Sequence, residues 1–399
     1  MTKLLDLKNN SVIAINQNSY TKEDNYKKVC YLDTDNITNN RINTFLKIDL
    51  TKEKLPSRAK RKCSLNSIIY SSVRPNQRHF GIIKEIPKNF LVSTAFIIID
   101  IIDLKKLDPD YLYYYITQDK ITHYLQRIAE CGTSSYPSIT PLDFLNIKIK
   151  LYPLETQQKI ARTLSILDQK IENNHKINEL LHKILELLYE QYFIRFDFLD
   201  ENNKPYQTNG GKMKFSKELN RLIPSGWSVR FLNHKIVSTY QPKTISKTLL
   251  NNSYSYSVYG GGGIIGRFTE YNHEQSEFII SCRGQCGISY LTLPKSWITG
   301  NAMVIRPTKS YTSKTYLYHT IKKYKLTNYI TGSVQPQITR QNLSTMPILI
   351  PKRKTLNKWN NISSLLWNLI HNNMQSTQTL TALRDFLLPL LLKQQVKPE

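Results

Sequence analysis

Arginine and lysine read guanine edges and neutralise phosphates, while asparagine and glutamine read adenine. Such side chains gather in two loop-like regions of this sequence. The first holds Arg58, Lys60, Arg61, Arg74, Gln77, Arg78 and His79. Within it Arg74 and Gln77 suit base edges, and Lys60 and Arg61 suit phosphates. A second, looser set comprises Lys243, Tyr259, Arg267, Arg283 and Gln285. Tyr136, Gln335 and Gln337 belong to two short Gly/Ser/Pro loops, where they either touch nucleic acid or shape the loop. Taken singly, each is equally readable as solvated surface.

Other chemistries find little support. Gly261-Gly-Gly-Ile-Ile-Gly266-Arg267-Phe268 has the spacing of a phosphate loop but Arg and Phe where such loops need Lys and Ser/Thr. Gly260 to Gly263 reads better as a tight turn. Cys282-Arg-Gly-Gln-Cys286 is half of a zinc site with no second pair nearby, so no metal is expected. Asp108-Pro-Asp110 reads as a helix N-cap. No methyltransferase loop, helicase phosphate loop or acid–base pair stands out. The expectation is a chain that is not itself an enzyme.

Composition agrees with a polyanion partner. Lys+Arg 55 against Asp+Glu 30 leaves +25, spread along 399 residues rather than confined to a tail. With 40% hydrophobic and 11% aromatic residues the chain can build cores, so disorder is excluded. The opening residues carry Lys3, Asp6 and Lys8, and no run is long enough to span a bilayer. Five scattered cysteines fit a reduced, cytoplasmic protein, with no membrane partner expected.

The elements that must position these side chains come as a tandem repeat. Pro137, Ile139 and Thr140 fall on Pro336, Ile338 and Thr339 at an offset of 199. The register continues without a gap: Ile171, Asn173 and Asn174 fall on Ile370, Asn372 and Asn373, and Leu188 falls on Leu387. Upstream, Tyr111-Leu-Tyr-Tyr-Tyr-Ile116 resembles Tyr316-Leu-Tyr-His-Thr-Ile321, but with gaps. Residues 155–193 contain neither Pro nor Gly, and Ile160, Leu164, Leu167, Ile171, Asn174, Asn178, Leu181, Leu185 and Leu188 alternate at spacings of four and three. That is a coiled-coil seam. The second copy is more polar, and Pro389 is expected to kink or end it. Asn173, Asn174, Asn372 and Asn373 either fix the register of the helices or dock another subunit.

The fold expected is therefore α/β: two mixed α/β domains separated by two long antiparallel coiled-coil helices, in a pseudo-two-fold tandem repeat. The boundaries expected are 1–152 for the first domain, 153–198 for the first helix, 199–350 for the second domain with a linker at 199–220, and 351–399 for the second helix. Residues 91–102 read as one buried strand.

Three stretches then carry a family likeness: Glu53-Lys-Leu-Pro-Ser-Arg58-Ala-Lys60-Arg61 with Ile68-Ile-Tyr-Ser-Ser-Val-Arg74-Pro-Asn-Gln77; Pro153-Leu-Glu155-Thr-Gln-Gln158-Lys-Ile160-Ala161; and Ile223-Pro-Ser-Gly226-Trp227. Together they resemble the DNA specificity subunit of type I restriction–modification systems. Pro351-Lys-Arg-Lys-Thr-Leu departs from the pattern, lacking the Glu and Gln of the first helix. The resemblance implies two target recognition domains, each reading half of a bipartite, asymmetric site in double-stranded DNA, with the helices setting the gap. It implies two methyltransferase subunits and motor-nuclease subunits as partners. S-adenosylmethionine, ATP and Mg would belong to those partners, with no cofactor in this chain. A recognition subunit serving a type II-like methyltransferase, and a coiled-coil scaffold without a DNA role, are the alternatives.

Overall fold

The computed structural model describes residues 1–38, 40–132, 136–251, 254–332 and 335–397. The chain divides into two compact units. The first consists of Met1–Asn173 with Thr377–Glu399, and the second of Asn174–Ser376. Each unit thus holds one domain together with half of each long helix.

In the first unit the central sheet runs Ile13–Ile15, Phe96–Ile101, Ile68–Ser71, Phe80–Ile82, all antiparallel. All four residues of Ile68–Ser71 are buried, as are five of the six in Phe96–Ile101. A continuous β-branched and aromatic run of this kind forms a strand covered on both faces. The expected strand at 91–102 is in fact two. Phe90–Ser93 turns at Thr94-Ala95 into a different sheet, where it pairs in parallel with Lys28–Leu32. Helix Pro109–Ile116 packs over the central sheet. Asp108 caps it, its Oδ1 accepting from Tyr111 N at 2.8 Å, as expected. A second helix, Asp119–Glu130, follows it.

The second unit repeats this plan. Its sheet runs Val237–Tyr240, Ala302–Pro307, Phe278–Ser281, Ser289–Leu291, again antiparallel throughout. The tyrosines that open the two Tyr-rich helices do the same job. Tyr111 Oη donates to Lys150 O at 2.5 Å, and Tyr316 Oη to Leu349 O at 2.6 Å, clamping helix to the strand before each long helix. Thr140 and Thr339 cap equivalent short helices, accepting from Asp143 N and Asn342 N.

The long helices are Leu154–Tyr189, extended by a π-helical turn Glu190–Ile194, and Arg353–Lys393. Pro389 lies inside the second helix and does not end it. In the first unit, Ile160 and Leu164 share a core with Leu387, Leu388, Leu391 and Leu392. In the second, Leu185 and Leu188 share one with Leu356, Trp359 and Leu366. Within each unit, therefore, the beginning of one helix packs on the end of the other, and the pairing is antiparallel. The seam positions are those expected, but the amides that meet are Asn178 and Asn373, with Nδ2 of Asn373 donating to Oδ1 of Asn178 at 2.9 Å. Asn173 and Asn372 are exposed, and Asn174 and Asn373 are half-buried.

The linker at 199–220 needs correcting as well. Met213–Ser216 pairs with Arg221–Pro224 in a hairpin. Phe198 stacks between Tyr206, at 4.9 Å, and the buried Trp227, at 5.2 Å. Its Asn, Gly and Lys residues are the punctuation of an ordered turn-rich segment, which composition cannot distinguish from a flexible one.

Candidate nucleic-acid interface

In each unit the strand at the middle of the central sheet runs out into a loop that is stitched to a second loop just before the long helix. In the first unit Ile139 N donates to Ser72 O at 2.8 Å, Arg74 N donates to Pro137 O at 2.9 Å, and Val73 bridges to Ser138. In the second, Ile338 N donates to Cys282 O at 3.1 Å, and Arg283 bridges to Gln337. Ser138 and Gln337 are separated by the same 199 residues as the rest of the repeat.

Both loops are held from beneath. Ser71 Oγ donates to Val73 O at 2.8 Å, Ser72 N to Ala95 O at 2.8 Å, and Asn76 N to the buried Gln126 Oε1 at 3.1 Å. On the other side Ser281 Oγ donates to Gln285 O at 2.5 Å, and Cys282 N to Asn301 O at 3.0 Å. Cys282 is buried and takes a hydrogen bond from Gln241 Nε2 at 2.8 Å, and Cys286 donates to Pro336 O at 3.1 Å, so both cysteines serve the loop. The described residues contain no group of His, Cys, Asp and Glu able to hold a metal.

The structure gathers Arg74, Gln77 and Tyr136 on one loop pair and Arg283, Gln285, Gln335 and Gln337 on the other, all exposed. The guanidinium of Arg74 lies 5.2 Å from the centre of the Tyr136 ring. Arg78 is spoken for by Asp119 at 2.7 Å. Arg58 and Lys60 are exposed on and beside the strand Ala59–Arg61, and Lys243 is exposed in the loop after Val237–Tyr240.

Three of the selected residues turn inward. Arg61 donates to Asn16 Oδ1 and Phe96 O, and burial pulls its pKa below the usual guanidinium value. Tyr259 is 3% exposed, with Oη accepting from Leu293 N at 3.0 Å and its pKa pushed up to about 12 by burial. Arg267 is half-buried on Gly263–Phe268, where it donates to Ser255 O at 2.9 Å. Arg61 and Tyr259 are corrections, since internal hydrogen bonds hold their polar groups, whereas Arg267 commits one donor to the fold. The Gly260 to Gly263 turn itself is as expected, closing a hairpin with Gly263 at φ 92°.

Gln157, within the motif of the first long helix, has an unexpected place. Fully buried, it donates to Lys106 O and Tyr152 O and accepts from Asp108 N, tying helix to domain. The equivalent residue in the repeat, Leu356, makes the same junction with apolar packing. The Glu and Gln that the second helix lacks, counterparts of Glu155 and Gln158, fall at Lys354 and Asn357, and all four places are exposed.

The family model for the type I restriction modification DNA specificity domain matches the chain twice, over residues 6–183 and 224–383. This chain belongs to the type I restriction–modification DNA specificity family. Both matches take in one loop pair and most of one long helix. The HindI specificity subunit of Haemophilus influenzae is 31% identical over 173 residues, which is 43% of this chain and 37% of that subunit. The MjaIX specificity subunit of Methanocaldococcus jannaschii is 24% identical over 323 residues, 73% of this chain and 69% of that one. A crystal structure of the S subunit of a type I restriction–modification system from M. genitalium superposes with a TM-score of 0.57, covering 98% of this chain and 99% of that one at 17% identity. The specificity-subunit fold is thereby shared. Among the described residues no helix is long and apolar enough to cross a membrane.

Proposed function

We propose that this chain is the non-catalytic DNA-reading subunit of a type I restriction–modification complex in the cytoplasm. Each unit reads one half of a bipartite site in double-stranded DNA. The observation that carries this reading is the duplicated loop pair: one scaffold, stitched by the same hydrogen bonds, presenting different side chains. Identical presentation would call for a palindrome; different presentation calls for two unlike half-sites. The long helices set the unread gap. They also dock two methyltransferase subunits, for which exposed Leu180 (61%), Leu187 (55%), Leu365 (61%) and Phe386 (65%) offer apolar contact. Motor-nuclease subunits join through the complex. S-adenosylmethionine, ATP and Mg belong to those partners.

Methylome sequencing of a host expressing this chain with its methyltransferase, compared with the methyltransferase alone, tests the proposal. An asymmetric bipartite motif appearing only with this chain is expected, and exchanging residues 1–150 should change one half of it. Co-purification with the methyltransferase but no new motif would refute DNA reading.

A further inference from the structure

Arg74 occupies the left-handed region, with φ 47° and ψ 67°, a costly conformation for a residue with a Cβ. The corresponding place in the second unit, one residue past the bridge at Arg283, is Gly284 with φ 75°, around which a Cβ would meet nothing within 4 Å. The loop thus asks for glycine in both units, and the first unit places an arginine there. Backbone strain of this kind persists where the surroundings hold it. Here they do: buried Pro75 follows, and the bonds to Pro137 and Gln126 fix the loop on either side.

The side chain is ordered too. Tyr136, 61% exposed, comes from the opposite loop and lies against the guanidinium. This cation–π contact uses up no hydrogen bond, and among the described residues the guanidinium N–H groups donate to no protein acceptor. A phosphate contact needs only a point charge, which exposed Lys60 supplies without strain. A fixed plane with an unused fork of donors matches two acceptors lying side by side, as in guanine O6 and N7. Adenine presents a donor beside N7 and meets that fork badly.

We propose that Arg74 is the guanine-reading residue of the first unit and that Tyr136 is the positioning residue that orients it. The inference rests on the loop pairs being DNA readers. It adds a base, a residue and an asymmetry: the second unit has no side chain at this place and reads its half-site by other means.

The test takes the full chain in complex with its methyltransferase and selects bound molecules from a randomised double-stranded oligonucleotide pool. The wild-type complex should enrich a motif with a G·C pair at one position of the half-site that follows residues 1–150. Arg74→Gly restores the residue its backbone favours and should relax that position alone, by about five- to 150-fold in preference. Arg74→Lys should relax the same position despite keeping its charge. Tyr136→Ala should do likewise with an unchanged melting temperature, while Tyr136→Phe keeps the preference. If Arg74→Gly weakens binding to every sequence equally with the motif intact, the residue is a phosphate anchor and the proposal fails. It fails also if motif and affinity are both unchanged, or if an A·T position relaxes. A wild-type complex that enriches nothing refutes the wider reading before any variant is made.

Discussion

Lowering the pH from 7.5 to 5.0 should destabilise the second unit through His319. This side chain, on Lys314–Lys323, is 3% exposed and enclosed by Tyr318, Tyr189 and Trp359 at 4.9, 5.5 and 5.3 Å between ring centres. Burial pushes its pKa down to about 3, with Lys322, His182 and Lys323 adding repulsion. In the unfolded chain an imidazole titrates near 6.5. The folded value is the lower one, so the unfolded state takes up the extra proton. Stability is complete above about pH 6.5 and falls as the pH drops toward 3. At about 1.4 kcal/mol per pH unit, the loss at pH 5.0 is about 2 kcal/mol. His371, held at about 4 by burial, pulls in the same direction. All four tryptophans, Trp227, Trp297, Trp359 and Trp367, lie in the second unit, so fluorescence-detected urea unfolding reports on it alone. His319→Phe keeps an aromatic ring and removes the titration. Its loss of stability between pH 7.5 and 5.0 should be smaller than that of the wild type by about 2 kcal/mol. Equal losses in the two proteins would refute the argument.

Three further outcomes follow from the packing. Asp168→Ala strips partners from Arg384, at 2.7 Å, and Tyr114 Oη, at 2.6 Å, and should cost the first unit about 2 kcal/mol by thermal circular dichroism. That is below a fully buried pair, since the Arg384 and Asp168 side chains keep 20% and 31% exposure. Asn373→Ala leaves the Asn178 oxygen without its donor and should cost about 1–2 kcal/mol, whereas replacing both by Leu should cost less than the two single changes combined, measured as a double-mutant cycle. Lys60→Ala should lower the slope of log affinity against log salt by about 0.9 with the motif unchanged. Arg61→Ala should leave that slope alone and lower thermal stability, because its hydrogen bonds are internal.

The parts of this molecule legible in the sequence were those with a periodic or duplicated signature. The three-four spacing from Ile160 to Leu188 marks the buried side of the first long helix, and Pro137, Ile139 and Thr140 mark the junction loops. Upstream, the repeat is carried by hydrogen bonds rather than residue identity. Ser72 and Cys282 hold one place, as do Arg74 and Gly284, and backbone geometry leaves no trace that composition can reveal. Arg61 and Tyr259 escape sequence reasoning for a related reason: residue type suggests nucleic acid, but only tertiary packing decides which side of a strand faces inward. The hairpin at 213–224 hid behind polar turn residues.

The first unit is completed by residues 377–397, with Leu391 and Leu392 in its core and Leu392 O accepting from Tyr152 Oη at 3.0 Å. Its other part ends at Asn173, so during synthesis it must wait for some two hundred further residues. At about 5–20 residues per second that delay is roughly 10–40 s. The second unit is continuous and can close as soon as residue 376 leaves the ribosome. A chain stopped at residue 376 would therefore carry one closed unit and one open core, exposing Ile160 and Leu164 to chaperones and proteases. Closure by residues 377–397 therefore ties the first unit's core to a segment made long after the rest of that unit.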